Sequence, residues 1–388
     1  MRALTWQGVN DLSVETVPDP QIVNPHDIVL KVGLSTTCGS DLHFIDGYIP
    51  SMREGDVIGH EFMGEVVETG PEVEGVSVGD RVVVPSFIGC GECWHCSHDE
   101  WSLCDNSHPK PELQESVLGY PTGGIYGYTH AFGGYAGSHA EYIRVPYAAT
   151  NCFVVPEGVS DEQALFCSDA APTGWMGADL AGIEPGDTVA VWGCGGVGLM
   201  AQNAARIMGA GRVIGIDRLP ERLALAATLG SETIDYTAVG SVHETLRELT
   251  GGRGPDRCIE AVGMEAHGTG LQHAYDRVKQ GLRLETDRAT PLRESILAVR
   301  KGGTLSVIGV WGLVDKLPMG LVMNKGLTVR SAQQHGQAYV PTLLDHVASG
   351  ELKTGALGTH TMSLEDSVRG YELFKEKRDG CIRAVFKP

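Results

Sequence analysis

The chain has 388 residues, 42% of them hydrophobic, and 49 Asp and Glu against 30 Lys and Arg give it a formal net charge of -19. That length carries a large core and favours about two domains, while so acidic a surface repels polyphosphate and anionic lipid, which sets nucleic-acid and membrane-surface roles aside. The opening MRALTWQGVNDLSVETV lacks the apolar stretch of a signal peptide and nowhere do about 18 apolar residues run together, so a soluble cytoplasmic protein is expected.

In chain order, the first 150 residues show short alternating β patterns, IVLKVGL, GEVVETG, RVVVP and AEYIRVP, broken by Gly and Pro. No helical period dominates, which points to a mostly β domain. Three stretches place Cys, His or acidic residues at the end of an apolar run or in a Gly/Pro-marked loop: CGSDLH (38–43), GHE (59–61) and CSDAAPTGW (167–175).

Within this region CGECWHCSHDEWSLC, residues 90–104, holds four cysteines with two, two and seven residues between them. In a reducing cytoplasm, thiolates at two-residue spacing converge on one tetrahedral metal ion rather than pair as disulfides, and zinc is the expected occupant. Cys90, Cys93, Cys96 and Cys104 would fill all four positions, leaving none for water or substrate, so this zinc is structural. A nucleic-acid zinc ribbon would need a Lys/Arg cluster that this acidic chain lacks, and four unligated thiols would have little use in a Gly-rich polar loop.

Further on, GDTVAVWGCGGVGLMAQNAARIMGAGRVIGIDRLPERLALAATLG reads as strand, glycine turn, helix, strand, helix. Gly193, Gly195 and Gly198 spell G-x-G-x-x-G, with Gly196 and Val197 inside it, directly after one apolar run (188–192) and at the opening of a helix. Three glycines alone are a weak signal; that context makes them a dinucleotide-binding turn. Asp217 closes the second strand, where a carboxylate accepts from the adenosine ribose hydroxyls and repels a 2′-phosphate, so NAD is expected over NADP. Arg218, next to it, could instead pair with a phosphate or lie on the adenine. Apolar runs in DRCIEAVG (256–263), GGTLSVIGVWG (302–312) and GLTVRSAQ (326–333) continue the same sheet. The fold class is therefore α/β, a mostly β domain plus a doubly wound parallel sheet.

GHEFMGEVVETGPEV resembles the signature of zinc-containing alcohol dehydrogenases throughout, with Gly59, His60, Glu61, Gly64, Gly70 and Val73 at the family's intervals. The four-cysteine lobe and the glycine turn resemble those of the same medium-chain superfamily, and the resemblance spans essentially the whole chain. It implies a GroES-like catalytic domain (1–171 and 336–388, zinc lobe 90–104) around a Rossmann cofactor domain (172–335). It makes Cys38 and His60 ligands of a second, catalytic zinc. Where common alcohol dehydrogenases hold a third ligand cysteine this chain holds Asp169, in SD-x-x-PTG spelling, with Cys167 a competing candidate. That spelling, the segment 123–146 and AVGMEAHG (261–268) resemble the glutathione-independent formaldehyde dehydrogenases and formaldehyde dismutases; the segment 271–300 follows their length pattern.

The resemblance further implies that Ser40 and His43 relay a proton, Asp41 buttresses His60, Glu61 lies behind the metal and Thr173 stands against the nicotinamide. Residue by residue, Ser40 could equally be a turn residue, His43 a loop histidine, and Thr173 the cap of a helix beginning WMGADLAG. Phe87 and Trp311 are candidates for the substrate pocket. The chemistry has its own logic: removing hydride from an alcohol or hydrated aldehyde requires the oxygen to shed its proton first, which a zinc with three protein ligands and one open position promotes. A carboxylate in place of a thiolate leaves that zinc more electrophilic.

The expectation is a zinc-dependent oxidoreductase with two zincs per chain and NAD, acting on a primary alcohol or hydrated aldehyde, formaldehyde or a larger intermediate. The alternatives are an aldehyde dismutase that keeps its NAD, with residues 105–139 helping to bury it, and a non-catalytic NAD-binding relative. The family implies a homo-oligomer joined through the strand near 303–310 or its neighbour, a tetramer before a dimer, with no nucleic-acid or membrane partner.

Overall fold

The computed structural model describes residues 1–265, 289–312 and 317–388, so the resemblances read over 261–268 and 271–300 lie partly outside the described residues. The chain divides into two compact units, Met1–Pro172 with Gln334–Pro388, and Thr173–Gln333.

The first unit is built on a seven-stranded sheet in the order Gly358–Ser363, Arg383–Lys387, Ile28–Thr36, Glu61–Thr69, Arg81–Val84, Phe153–Val154, with Tyr142–Val145 also paired to Ile28–Thr36. The alternating β-branched runs form these strands because period-two side chains bury one face: Ile28, Leu30, Val32, Phe62, Val66, Val82 and Val84 share one core cluster. A three-stranded antiparallel sheet, Asp11–Thr16, Arg2–Gly8 and Asp56–Val57, completes the β structure described. The two longest strands run antiparallel in a register that pairs Thr36 with Glu61. Cys38 lies two residues past one member of that pair and His60 one residue before the other, so residues 22 apart in sequence leave the sheet at the same end.

The second unit carries six parallel strands, Thr188–Trp192, Arg212–Asp217, Glu232–Asp235, Arg257–Glu260, Thr304–Val307 and Thr328–Ser331. Counted along the chain, their spatial order is 3-2-1-4-5-6, the doubly wound arrangement that binds dinucleotides where the order reverses. The central strands are nearly continuous apolar runs because a parallel sheet is covered on both faces: Val189 to Trp192 and Val213 to Asp217 are all buried. Thr328–Ser331 is the outer strand, and all four of its residues are exposed.

Among the described residues, no helix is long and apolar enough to cross a membrane.

Candidate active site

The glycine turn of the second unit needs glycine for two separate reasons. Gly193 has φ +95°, in the left-handed region, and donates its N–H to Ile216 O at 2.8 Å. A Cβ on Gly198 would lie 1.9 Å from Gly193 O, so the helix Gly196–Ile207 closes on the turn only without one. The free N–H groups at that helix N-terminus suit an anionic group. Asp217 is tied to the same turn: Oδ2 accepts from Cys194 N at 2.8 Å, and Oδ1 accepts from Arg218 N at 2.7 Å and Leu219 N at 3.2 Å. Its carboxylate is thereby held against the turn by three backbone N–H groups.

The Arg222 guanidinium packs beside Gly195, 3.4 Å from where a Cβ would be, and its buried Nε has no hydrogen-bond partner. It is a cation at the turn that the motif alone did not single out. Thr173 lies inside the helix Ala170–Ala181 and not at its start, so it is no helix cap. Trp311 donates its indole N–H to the buried Glu260 Oε2 at 2.9 Å. Phe87 is a core residue of the first unit, packed in one cluster with Phe44 and Tyr128.

Two clusters of metal-type donors occur among the described residues, both in the first unit. Cys90, Cys93, Cys96 and Cys104 form one, with their sulfurs within 4.8 Å of one another. Backbone N–H groups already aim at these sulfurs, Glu92 and Cys93 at Cys90 Sγ and Cys96 at Cys93 Sγ, each at 3.4 Å. The Cys104 thiol is pulled down by the hydrogen bond it accepts from Cys96, whose own thiol goes up. Loop amides pointing at four converging sulfurs form a preorganised thiolate cage, and the donor set fits a closed zinc site.

The second cluster contains Cys38, His60, Glu61 and Asp169, again with donor atoms within 4.8 Å. Cys38 and His60 come from the paired strand ends; Asp169 comes from the start of the helix Ala170–Ala181, where Ser168 O is held by Ser86 N at 3.2 Å and Gln334 Nε2 at 3.3 Å. Cys167 is fully buried, its thiol pushed up to about 12 by burial, and it is not part of the cluster. His60 Nε2 faces the cluster, 3.5 Å from Asp169 Oδ2, while Nδ1 is 3.1 Å from Asp41 Oδ1. With Nδ1 protonated toward Asp41, Nε2 presents its lone pair to a metal. Ser40 Oγ is 3.3 Å from both Cys38 Sγ and His60 Nε2.

Two neighbours set the electrostatics. Glu61 is fully buried, and burial raises its carboxyl to about 7 against the pull of Arg383, whose Nη1 is 3.0 Å from Glu61 Oε1. Burial also pushes the Cys38 thiol up, opposed by Arg383 and His60. A pocket that disfavours bare thiolate and carboxylate yet collects both is one built around a cation. His43, in the short helix Asp41–Ile45, is buried, its Nδ1 has no hydrogen-bond partner, and burial lowers it to about 4.

The sequence reading passed over Arg383, Tyr371 and His139, all of which stand behind this cluster. Arg383 carried one signal, a charged residue inside the apolar stretch CIRAVF; His139 in GSHAEY and Tyr371 in VRGYELF carried none.

Comparison with known proteins agrees with this geometry. Residues 24–157 match the alcohol dehydrogenase GroES-like domain family and residues 196–284 the zinc-binding dehydrogenase family. The chain is 38% identical to a zinc-type alcohol dehydrogenase-like protein of Bacillus subtilis, covering 100% of both chains. It is 33% identical to a glutathione-independent formaldehyde dehydrogenase of Pseudomonas aeruginosa, covering 96% of this chain and 94% of that one. The solved structure of an alcohol dehydrogenase from a Thermus species is similar at 34% identity and a TM-score of 0.83, covering 100% of this chain and 99% of that one.

Proposed function

Because the chain belongs to the zinc-type alcohol dehydrogenase family, we propose that it transfers hydride between NAD and a primary alcohol or hydrated aldehyde, with formaldehyde-type substrates first. The observation that carries this is the donor cluster of Cys38, His60, Glu61 and Asp169, gathered within 4.8 Å, with a separate four-cysteine cluster in the same unit. We assign Cys38, His60 and Asp169 to the catalytic zinc and Cys90, Cys93, Cys96 and Cys104 to a structural one. Bound there, zinc supplies Lewis acidity toward an alcohol or aldehyde oxygen, and NAD supplies the hydride acceptor.

The protein's own groups do the rest. Cys38 and Asp169 each bring one negative charge and His60 none, so the three balance a divalent ion. Glu61, held by Arg383, lies in the same cluster as an occasional fourth donor. Ser40 Oγ, within 3.3 Å of two of the ligand atoms, stands where a substrate hydroxyl proton would be received. His43, kept neutral by burial, passes a proton on rather than holding it. In the second unit Gly193, Gly195, Gly196, Val197 and Gly198 form the pyrophosphate cradle, with Thr173 as a nicotinamide neighbour. Asp217 favours NAD over NADP by facing the ribose, with Arg218 and Arg222 alongside.

Formaldehyde-type substrates are supported by the Pseudomonas aeruginosa relative and by Asp169 standing where common alcohol dehydrogenases have cysteine. The exposed outer strand Thr328–Ser331 and the exposed apolar Met319, Met323 and Val329 support a homo-oligomer; the tetramer is put ahead of the dimer on the family resemblance alone, and light scattering distinguishes these. We also assign the protein to the cytoplasm, on its four close free thiols.

The test is absorbance at the NADH band for zinc-loaded protein given NAD with formaldehyde, primary alcohols and larger aldehydes, beside Asp169→Ala. Turnover that the variant loses supports the assignment. Turnover unchanged in Asp169→Ala removes it. Paired alcohol and acid products without net NADH would assign a dismutase.

A further inference from the structure

Behind His60, four buried polar side chains from distant parts of the chain are joined end to end. Tyr371 OH donates to Asp41 Oδ2 at 2.7 Å, across 330 residues of sequence. His139 Nε2 is 2.8 Å from the same Tyr371 oxygen, and His139 Nδ1 is 2.9 Å from Ser35 Oγ. Ser35, Asp41 and His139 are fully buried and Tyr371 is 3% exposed.

The hydrogens in this chain have only one consistent arrangement. An ionised carboxylate accepts and cannot donate, so the single phenol hydrogen of Tyr371 goes to Asp41. The Tyr371 oxygen can then only accept from His139, which puts the imidazole hydrogen on Nε2. Nδ1 is left as an acceptor for the Ser35 hydroxyl. Burial lowers His139 to about 4, which keeps the ring neutral and in that tautomer.

Asp41 stands at the end of this chain and touches two proposed zinc ligands at once. Oδ2 also accepts from Cys38 N at 2.8 Å, and Oδ1 lies 3.1 Å from His60 Nδ1. That second pair is close in distance but off the hydrogen-bond axis, since neither atom has a well-directed partner. The orientation of the carboxylate plane therefore depends on the two donors that hold Oδ2, the Cys38 backbone N–H and the Tyr371 hydroxyl, of which Tyr371 is the side-chain one. A phenylalanine at 371 would fill nearly the same volume without a buried polar atom, and an apolar core carries no desolvation cost of this kind. The hydroxyl is thus not needed for packing.

The packing supports the same assignment. The His139 ring lies against Gly59, the residue before His60: a Cβ there would meet the ring at 2.5 Å. On another side the ring meets Phe386 edge-on, with centroids 5.0 Å apart. His139 thus abuts the zinc-ligand segment through packing and reaches it again through Tyr371 and Asp41.

We propose that Tyr371, His139 and Ser35 are positioning residues for the catalytic zinc, a fixed-direction hydrogen-bond chain that holds the Asp41 carboxylate against His60 and the Cys38 backbone. This rests on Cys38, His60 and Asp169 being the zinc ligands. Its consequence is that the affinity of the catalytic site for zinc depends on the helix Ser367–Glu376, which carries no ligand.

The experiment measures zinc affinity of the full chain at both sites by competition with a chelator, with the d–d spectrum of the cobalt-substituted catalytic site as a second readout. Loss of an outer hydrogen-bond partner typically costs about 10- to 100-fold in metal affinity. Tyr371→Phe and His139→Leu are expected to weaken the catalytic site about tenfold, shift its cobalt spectrum and leave the four-cysteine zinc in place. His139→Gln, whose amide can still donate to Tyr371, is expected to stay near wild type. The double variant is expected to be no weaker than the worse single one, because both cut one chain.

Unchanged affinity in Tyr371→Phe, additive losses in the double variant, or parallel loss of both zincs would each overturn the proposal. A wild-type chain that never takes up a second zinc would instead remove the ligand assignment itself.

Discussion

Gly59→Ala tests the packing behind the site most directly. Gly59 has φ +98° and an added Cβ would meet Nδ1, Cε1 and Cγ of His139 at 2.5 to 2.6 Å. Holding alanine in left-handed backbone costs about 1–2 kcal/mol. Relieving the overlap requires the ring to retreat by about 1 Å, since carbon contacts are at rest near 3.5 Å. Its bonds to Ser35 and Tyr371, now 2.9 and 2.8 Å, would then pass beyond hydrogen-bonding distance. Two buried groups losing partners add about 1–3 kcal/mol each, for a total on the order of 3–8 kcal/mol.

At about 2–4 °C per kcal/mol for a unit of this size, the melting temperature should fall by on the order of 10 °C. The control is Gly75→Ala: Gly75 also has positive φ, +76°, but nothing lies within 4 Å of its added Cβ. Only the backbone cost of about 1–2 kcal/mol applies there. Differential scanning calorimetry of the zinc-loaded proteins reads both. If Gly59→Ala melts no lower than Gly75→Ala, the reasoning about His139 is refuted.

The remaining predictions concern the cofactor turn and the response to acid. Asp217→Ala removes the acceptor facing the ribose and should weaken NAD by roughly 1.5–3 kcal/mol, about 10- to 100-fold in Kd by fluorescence titration, with little loss for NADP; equal losses for both would contradict the ribose assignment. His43 and His139 are each held near 4 by burial, below the 6.5 of a free imidazole. Asp41 and Asp46 pull His43 up, and at His139 Asp41 raises while His60 lowers. A depressed histidine leaves stability intact above 6.5 and removes it as pH falls toward 4, because the unfolded chain binds the proton first. Each contributes up to about 3 kcal/mol of that loss. Urea midpoints from pH 7 to 4.5 should therefore fall less steeply in His139→Gln than in wild type, and parallel slopes would exclude the effect.

How far the sequence could be read depended on the range of the contacts. The glycine turn and the four-cysteine lobe are local: G-x-G-x-x-G and CGECWHC carry their geometry within a few residues, since a tight turn and a tetrahedral cage are short-range demands. The strands of both units follow from period-two and continuous apolar patterns. Cys38, His60 and Asp169 were legible only through resemblance, because nothing in their spacing says that Thr36 pairs with Glu61 and brings the strand ends together. For Thr173 the sequence left a helix cap open beside the nicotinamide role; the structure removes the cap, because the helix begins at Ala170, ahead of the Pro-Thr-Gly that looks like a boundary. Proline is tolerated in the first turn of a helix, where its missing N–H is not needed. Arg383 and Tyr371 were missed because only the strand order of the first unit places the end of the chain beside residue 38, and His139 because only the fold lays residues 138–139 against Ile58 and Gly59.

That long-range dependence makes Arg383 the most informative place to cut. Arg383 begins the strand next to Ile28–Thr36, donates to Thr37 O and faces Glu61 Oε1 at 3.0 Å, with the two residues 3% and 0% exposed. At that distance a pair of unit charges attracts by about 5 kcal/mol for an effective dielectric near 20. Removing one partner of a buried pair typically destabilises by about 3–5 kcal/mol, because the other is left uncompensated. Arg383→Met should therefore lower stability by about that amount and deplete the catalytic zinc, while the lobe, whose ligands all lie within residues 90–104, keeps its own. Adding Glu61→Gln removes the stranded charge and should recover most of the loss, as denaturant unfolding with zinc analysis would read. If Arg383→Met alone stays within 1 kcal/mol of wild type, or the second substitution makes matters worse, Glu61 is not the group that Arg383 holds.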